Sequence, residues 1–179
     1  MTNSKTQFEQ DLRTKLVKLL PDHNVNSLPK ISKVVLNYRV TDGRDSQEAL
    51  AAAEAELVSI AGQKPQLCKS KKSIATFKLR EGEPLAYKVT LRGVRMHQFV
   101  EKLFNLVLPR LRDFKGLPST SFDNGGSYSL TIKDQTYFPE INLDKINKIR
   151  PLQITLNISA TSKDEAKMLL SALGFPFEK

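Results

Sequence analysis

The sequence predicts an α+β fold: a mainly antiparallel sheet, helices packed on one face of it, and a protruding basic hairpin loop. Segments with period-two alternation, such as "ISKVVLNYRV" and "PLQITLNISA", are interleaved irregularly with segments whose apolar residues recur at helical spacing. Neither an internal repeat nor a long linker divides the 179 residues, so a single domain over 1–179 is expected. A chain of this length hides about 70% of the surface its unfolded form exposes, enough for one core. A sheet covered on one side leaves its other face free.

Phe8, Leu12, Leu16, Leu19 and Leu20 lie at helical spacing until Pro21, predicting an amphipathic helix over about 5–20. A strand follows, with Val34, Leu36, Tyr38 and Val40 on an apolar side and Lys33, Val35, Asn37 and Arg39 on a mixed one. From Ser46 to Ala61 the sequence is rich in Ala, Glu and Leu. Leu50, Ala53, Leu57 and Ile60 form its stripe, and Gly62 supplies a left-handed stop. Two strand-like arms, "SIATFKL" and "LAYKVTLR", then flank the turn "REGEP" in a hairpin over about 69–86.

Met96, Phe99, Val100, Leu103, Phe104 and Val107 make the strongest apolar stripe, a helix expected to end before Pro109. A looped stretch enters another strand through the turn signal Asn124-Gly125-Gly126. "PLQITLNISA" predicts the last strand, and Ser162 with Glu165 is a capping-box pattern opening the last helix.

Composition excludes several classes of function. Apolar content of 40% with 26% charge argues against global disorder and against a membrane protein. No run approaches the roughly 18 apolar residues of a span, and the first ten residues contain no apolar signal core, so an intracellular or already processed chain is expected. Cys68 is the only cysteine, which excludes an intramolecular disulfide and a zinc cage of several thiolates.

Catalytic patterns are weak. His23 and His97 stand outside any metal-ligand spacing, and Glu81 and Glu83 flank Gly82 in a turn, as solvated residues of a hairpin tip do. "DNGGS" lacks the Lys-Ser/Thr and following helix of a phosphate-binding loop. A non-enzymatic protein without cofactor or metal is expected.

Charge carries the strongest functional signal. Lys and Arg number 28 against 19 acids, a formal charge of +9, and the stretch from Lys69 to Arg95 holds eight of the cations against Glu81 and Glu83. Arg110, Arg112 and Lys115 form a second group. Such clustering points to a polyanion, with phosphates held by charge and by bidentate Arg hydrogen bonds. The sequence displays neither an RNA-recognition aromatic motif nor a zinc finger, so composition alone reaches a basic α+β domain.

Individual motifs narrow this. "VVLN", "GQKP", "KSIATFKLREGEP", "KVTLRG", "LPRLRDFKGL", "SFDNGGSYS", "FPEI" and "GFPF" occur in order and spacing from about Leu28 to Phe177. In these words the chain resembles ribosomal protein five of the large subunit, in its bacterial and organellar form. The resemblance implies a constituent of the central protuberance that binds 5S rRNA and lies among large-subunit rRNA and neighbouring ribosomal proteins. It further implies a hairpin contacting P-site tRNA, and a bridge to a small-subunit ribosomal protein. A cytoplasmic ribosome is expected, an organelle matrix being the alternative.

Carried onto this chain, the family's 5S rRNA contacts fall on Asn37, Gln63 and Thr90, with Lys64, Lys88 and Arg92 beside them as phosphate clamps. Lys69, Lys71, Lys72, Lys78 and Arg80, with Ser73 and Thr76 as hydrogen-bond donors, are the expected tRNA contacts. The chain departs from the family at Tyr38-Arg39-Val40-Thr41, where Met-Gly-Val-Gly is usual, in "DNGGSYS", and at Pro151, where Gly is usual. A long polar hairpin buries little apolar area, so mobility in the free protein is expected. The competing reading is an assembly or protein-interaction adaptor that keeps the fold without RNA.

Overall fold

The computed structural model describes residues 12, 14–17, 19–20, 24, 26–40, 46–112, 114, 116–142, 146 and 148–178. Phe8, Pro21, His23, Thr41 and Lys115 lie outside the described residues. Of the expected N-terminal helix, Leu12, Thr14 to Val17 and Leu19 are described and helical, and Leu16 is buried.

Among the described residues, five strands form one sheet in the order β2-β3-β1-β5-β4: β1 (Lys30–Arg39), β2 (Gln66–Lys69), β3 (Pro84–Leu91), β4 (Tyr128–Ile132) and β5 (Leu152–Ser159). The sheet is antiparallel. Gln66 faces Lys88 and Cys68 faces Ala86 between β2 and β3. Ser32 bonds to Asn157 while Asn37 reaches Gln153, so advancing along β1 means retreating along β5. The helices α1 (Gln47–Ala61), α2 (Gly93–Lys102) and α3 (Lys163–Ala172) complete the α+β architecture.

Contacts cluster into two compact units, one of Met1–Val34, Arg92–Leu130 and Thr155–Lys179, the other of Val35–Leu91 and Thr131–Ile154. In the second, α1 begins at Ser46, whose hydroxyl accepts from the Ala49 amide at 3.2 Å, and ends at Gly62, whose φ of 63° lets its amide reach Val58 O. The expected stripe is right: Ala53, Leu57 and Ile60 are buried, with Leu50 partly so. This face meets the inward side of the strands, where Leu36, Tyr38, Tyr87 and Val89 are buried.

Polar bonds fix α1 to that side. Tyr38 Oη donates to Glu56 Oε2, Tyr87 Oη donates to Glu54 Oε2 at 3.4 Å, and Arg150 Nη1 lies 3.7 Å from Glu56 Oε1. Burial first, then the hydrogen bond and negative charge of Glu56, push the Tyr38 phenol far above its ordinary value. Tyr87 is shifted the same way by burial and the Glu54 charge. Gln135, fully buried, ties two segments together by donating to Lys148 O at 2.7 Å and accepting from the Arg150 amide at 2.6 Å.

In the first unit, α2 buries Met96, Phe99 and Val100, and Leu103, Phe104 and Val107 continue the same stripe. The helix does not stop before Pro109. It widens into a π turn over Leu103–Val107, then tightens into a 3₁₀ turn over Leu108–Arg110. Pro109 has no N–H and its ring crowds the carbonyl one turn back; the wide turn, closed by Leu108 N to Leu103 O, accommodates both.

The capping box at α3 is real. Ser162 Oγ accepts from the Glu165 amide at 3.3 Å, while the Glu165 carboxylate reaches past the cap to the Thr161 amide at 3.0 Å. At its far end Gly174 N bonds Ser171 O and Phe175 N bonds Leu170 O, the paired reverse bonds of a glycine stop. The last residues complete an aromatic cluster: Tyr128 and Phe104 meet Phe175 at centroid distances of 5.0 and 5.1 Å.

The arm "SIATFKL" is not a strand. Ile74 and Leu79 form an isolated antiparallel bridge around a 3₁₀ turn, Ala75–Phe77, and Lys78 adopts φ 49°. Alternation predicts a strand only when one side of it is buried. Ile74 and Phe77 remain 42% and 69% exposed, so nothing rewards an extended ladder there.

Candidate nucleic-acid interface

Because α1 covers the Tyr38 and Tyr87 side in the second unit, the alternate residues of those strands face away from it. Asn37 stands between buried Leu36 and Tyr38, and Lys88 and Thr90 alternate with Tyr87, Val89 and Leu91. Tyr38, the first family departure, therefore points into the core. Arg39 next to it is exposed and adds a cation to the uncovered side.

Each amide here is held. Asn37 Nδ2 lies 3.5 Å from Gln153 Oε1, and Gln63 Nε2 donates to Thr90 O at 3.5 Å. Both distances are at the long end for a hydrogen bond. Gly62 makes the second contact: its left-handed turn sends the chain from α1 across to β2, carrying Gln63 to the end of β3. Lys64 and Lys88 are exposed, and Lys88 sits opposite Gln66.

Sequence reasoning thus joins Asn37, Gln63, Lys64, Lys88 and Thr90 to one group of neighbouring elements in the second unit. Arg92 lies one residue past β3, exposed at the N-cap of α2, and belongs to the first unit. Gln66 and Gln153 were missed. Gln153 was legible as an outward position in "LQITLNIS", whereas Gln66 becomes visible only through its register with Lys88.

Among the described residues, none of the five strands contains an Asp or Glu, although the chain has 19 acids. Lys30, Lys33, Arg39, Lys69 and Lys88 lie on strands. An uncovered sheet surface without acids is free of the like-charge repulsion that would oppose a phosphate.

The loop from Ser70 to Glu83 satisfies much of its own backbone. Ser70 N reaches Glu83 O at 2.8 Å, Gly82 N reaches Ser70 O at 3.0 Å, and Ile74 and Leu79 exchange bonds at 2.9 and 3.1 Å. Ser73 Oγ accepts from the Glu81 amide at 3.0 Å, so this hydroxyl closes the loop as well as facing solvent. Lys69, Lys71, Lys72, Thr76, Lys78 and Arg80 are exposed. Phe77, exposed in the 3₁₀ turn, is a large apolar residue that the segment leaves unburied, and it was not singled out from the sequence.

No cluster of three His, Cys, Asp or Glu able to hold a metal exists among the described residues. A recess lined by Ala52, Ala55, Glu56, Ser59, Glu140 and Ile141 contains none of the sequence-predicted site residues. No helix among the described residues is long and apolar enough to cross a membrane.

Comparison with known proteins gives the class first: the chain is a non-enzymatic constituent of the large ribosomal subunit, with rRNA and the ribosome as its partners. The family described as "Ribosomal protein L5" matches residues 24–80, and the model of that family's C-terminus matches residues 84–177. A large ribosomal subunit protein uL5 from Thermoanaerobacter sp. (strain X514) is 46% identical over 179 residues, covering 100% of both chains. Its counterparts in Prochlorococcus marinus (strain NATL1A) and Mesoplasma florum are each 45% identical over 175 residues, covering 98% of this chain and 98% and 97% of theirs. The chain belongs to the ribosomal protein L5 family. Its bacterial relatives indicate a ribosome in the cytoplasm.

Proposed function

We propose that the chain binds 5S rRNA through the uncovered strand surface of its second unit, with Asn37, Gln63 and Thr90 reading ribose or base edges. Lys64, Lys88 and Arg92 neutralise phosphates. The observation that carries this reading is the pairing of Gln63 with Thr90 and of Asn37 with Gln153 on the side α1 leaves open, beside exposed Lys88. An amide offers both donor and acceptor to a 2′-hydroxyl, and neighbouring ammonium groups supply the attraction that base-edge contacts lack. The loop bearing Lys69, Lys71, Lys72, Ser73, Thr76, Lys78 and Arg80 contacts P-site tRNA, and the chain contributes to the bridge with the small subunit during translation.

Purified protein titrated with 5S rRNA and with an equally long structured RNA, across a salt series, tests this. Selective binding weakened roughly tenfold by Asn37→Ala or Gln63→Ala, with unchanged salt slope, is expected. Equal binding of both RNAs, insensitive to those substitutions, would leave only a generic polyanion surface and favour the adaptor reading.

A further inference from the structure

In the first unit, the side chains on β4 and β5 that alternate with buried Tyr128, Leu130, Leu156 and Ile158 are Ser129, Thr155, Asn157 and Ser159. Ser129 Oγ and Thr155 Oγ1 are 3.1 Å apart, and Asn157 Nδ2 donates to Ser127 Oγ at 3.3 Å. Each of these side chains is half-buried or exposed, and all are uncharged. Ser32 Oγ donates to Asn157 O at 3.0 Å, which brings the half-buried Lys33 of β1 alongside as a cation.

This chemistry is selective in what it suits. A surface for phosphates needs several cations, and a protein-docking surface needs an apolar centre; hydroxyls and one carboxamide provide neither. They suit a partner that presents neutral groups able both to donate and to accept. The Ser129–Thr155 bond uses one donor and one acceptor, leaving a further donor and acceptor sites on the same two hydroxyls. The mutual bonds also hold the side chains in place before any ligand arrives, which lowers the ordering cost of binding.

We infer that Ser129, Thr155 and Asn157 form a ribose-reading patch that bonds 2′-hydroxyls in the wide, shallow minor groove of an A-form segment of the bound RNA. A 2′-hydroxyl is a neutral donor and acceptor, and the minor groove of A-form RNA displays a row of them to a flat surface. The patch makes the protein distinguish RNA from a polyanion of equal charge. This rests on the RNA-binding reading above.

The test compares 5S rRNA with the same sequence carrying 2′-fluoro groups in its helical segments, a substitution that preserves A-form geometry but removes the 2′-hydroxyl donor. Wild-type protein is expected to bind the ribose form roughly tenfold more tightly. The triple variant Ser129→Ala, Thr155→Val, Asn157→Ala should cut that preference to about threefold with the wild-type salt slope, because Asn37, Gln63 and Thr90 stay in place and no phosphate contact is touched. Thr155→Ser, which keeps the hydroxyl, should keep the preference. Retention of the full preference by the triple variant would overturn the inference, as would equal wild-type binding of both forms; the RNA-binding reading survives either result. Failure of wild-type protein to select 5S rRNA over other RNA would instead remove that reading and the inference with it.

Discussion

Tyr38→Phe should destabilise the protein at neutral pH yet make it lose less stability in alkali. Tyr38 is fully buried, and its hydroxyl donates to Glu56, the carboxylate that also faces Arg150. Removing that donor leaves a buried carboxylate short of a charge-assisted bond, at a cost of roughly 1.5–3 kcal/mol. The same environment raises the folded-state phenol pKa, through burial first and Glu56 second. The contribution is therefore fully present below the unfolded value near 10. Above it the unfolded chain releases the proton while the folded chain retains it, and stability falls by up to about 1.4 kcal/mol per pH unit.

The phenylalanine variant has no phenolic proton to release at this position, so the gap between wild type and variant should narrow by about 1 kcal/mol from pH 10 to pH 11. Tyr87 and Tyr128, also raised by burial, are present in both proteins and cancel from the difference. Urea unfolding at pH 7, 9, 10 and 11 measures it. A gap that stays constant over this range would refute the account of Tyr38 as a buried donor to Glu56.

Gly126→Ala should cost about 1–2 kcal/mol in thermal or urea unfolding, because φ is 78° there and an added Cβ would meet the Ala166 Cβ at 3.3 Å. Lys71→Ala with Lys72→Ala should leave stability within about 0.5 kcal/mol, since both side chains are exposed. If they contact RNA phosphates, the log-log salt slope for binding should become shallower by about two; an unchanged slope would remove them from the interface. Hydrogen exchange at Ile74 and Leu79 in free protein should be far faster than at Leu36 or Val89, as their bridge carries two backbone bonds but almost no buried apolar area.

Strands and helices that bury a regular stripe were legible from the sequence because burial enforces the period. The alternation at Val34, Leu36 and Tyr38, the stripe at Ala53, Leu57 and Ile60, and the Ser162 cap all rest on local chemistry that needs no distant partner to be recognised. "SIATFKL" was misread because it has the composition of a strand without a layer to cover it. The helix running through Pro109 was misread because a π turn spreads the strain over residues whose apolar spacing looks ordinary. Asn37, Gln63 and Thr90 are candidates by resemblance alone; that Gln153 and Gln66 stand beside Asn37 and Lys88 depends on register, which periodicity cannot supply.

Three of the chain's 19 acids hold helices in place. Glu54 and Glu56 lie on α1 and turn toward the tyrosines of the covered side, and Glu165 is buried at the start of α3, bonded to the Thr161 amide. Each is consumed in holding a helix in place, where its charge meets a phenol, a guanidinium or a helix terminus. The strands, free of acids, keep Lys33, Arg39 and Lys88 without neighbouring carboxylates on the same strand. The covered side of β1 and β3 thus takes up the charges of Glu54 and Glu56 as structural hydrogen bonding, while Arg39 and Lys88 stand exposed on the other side. A change at Tyr38, inward on β1, can therefore alter the fold's energetics while Asn37 beside it keeps its outward position.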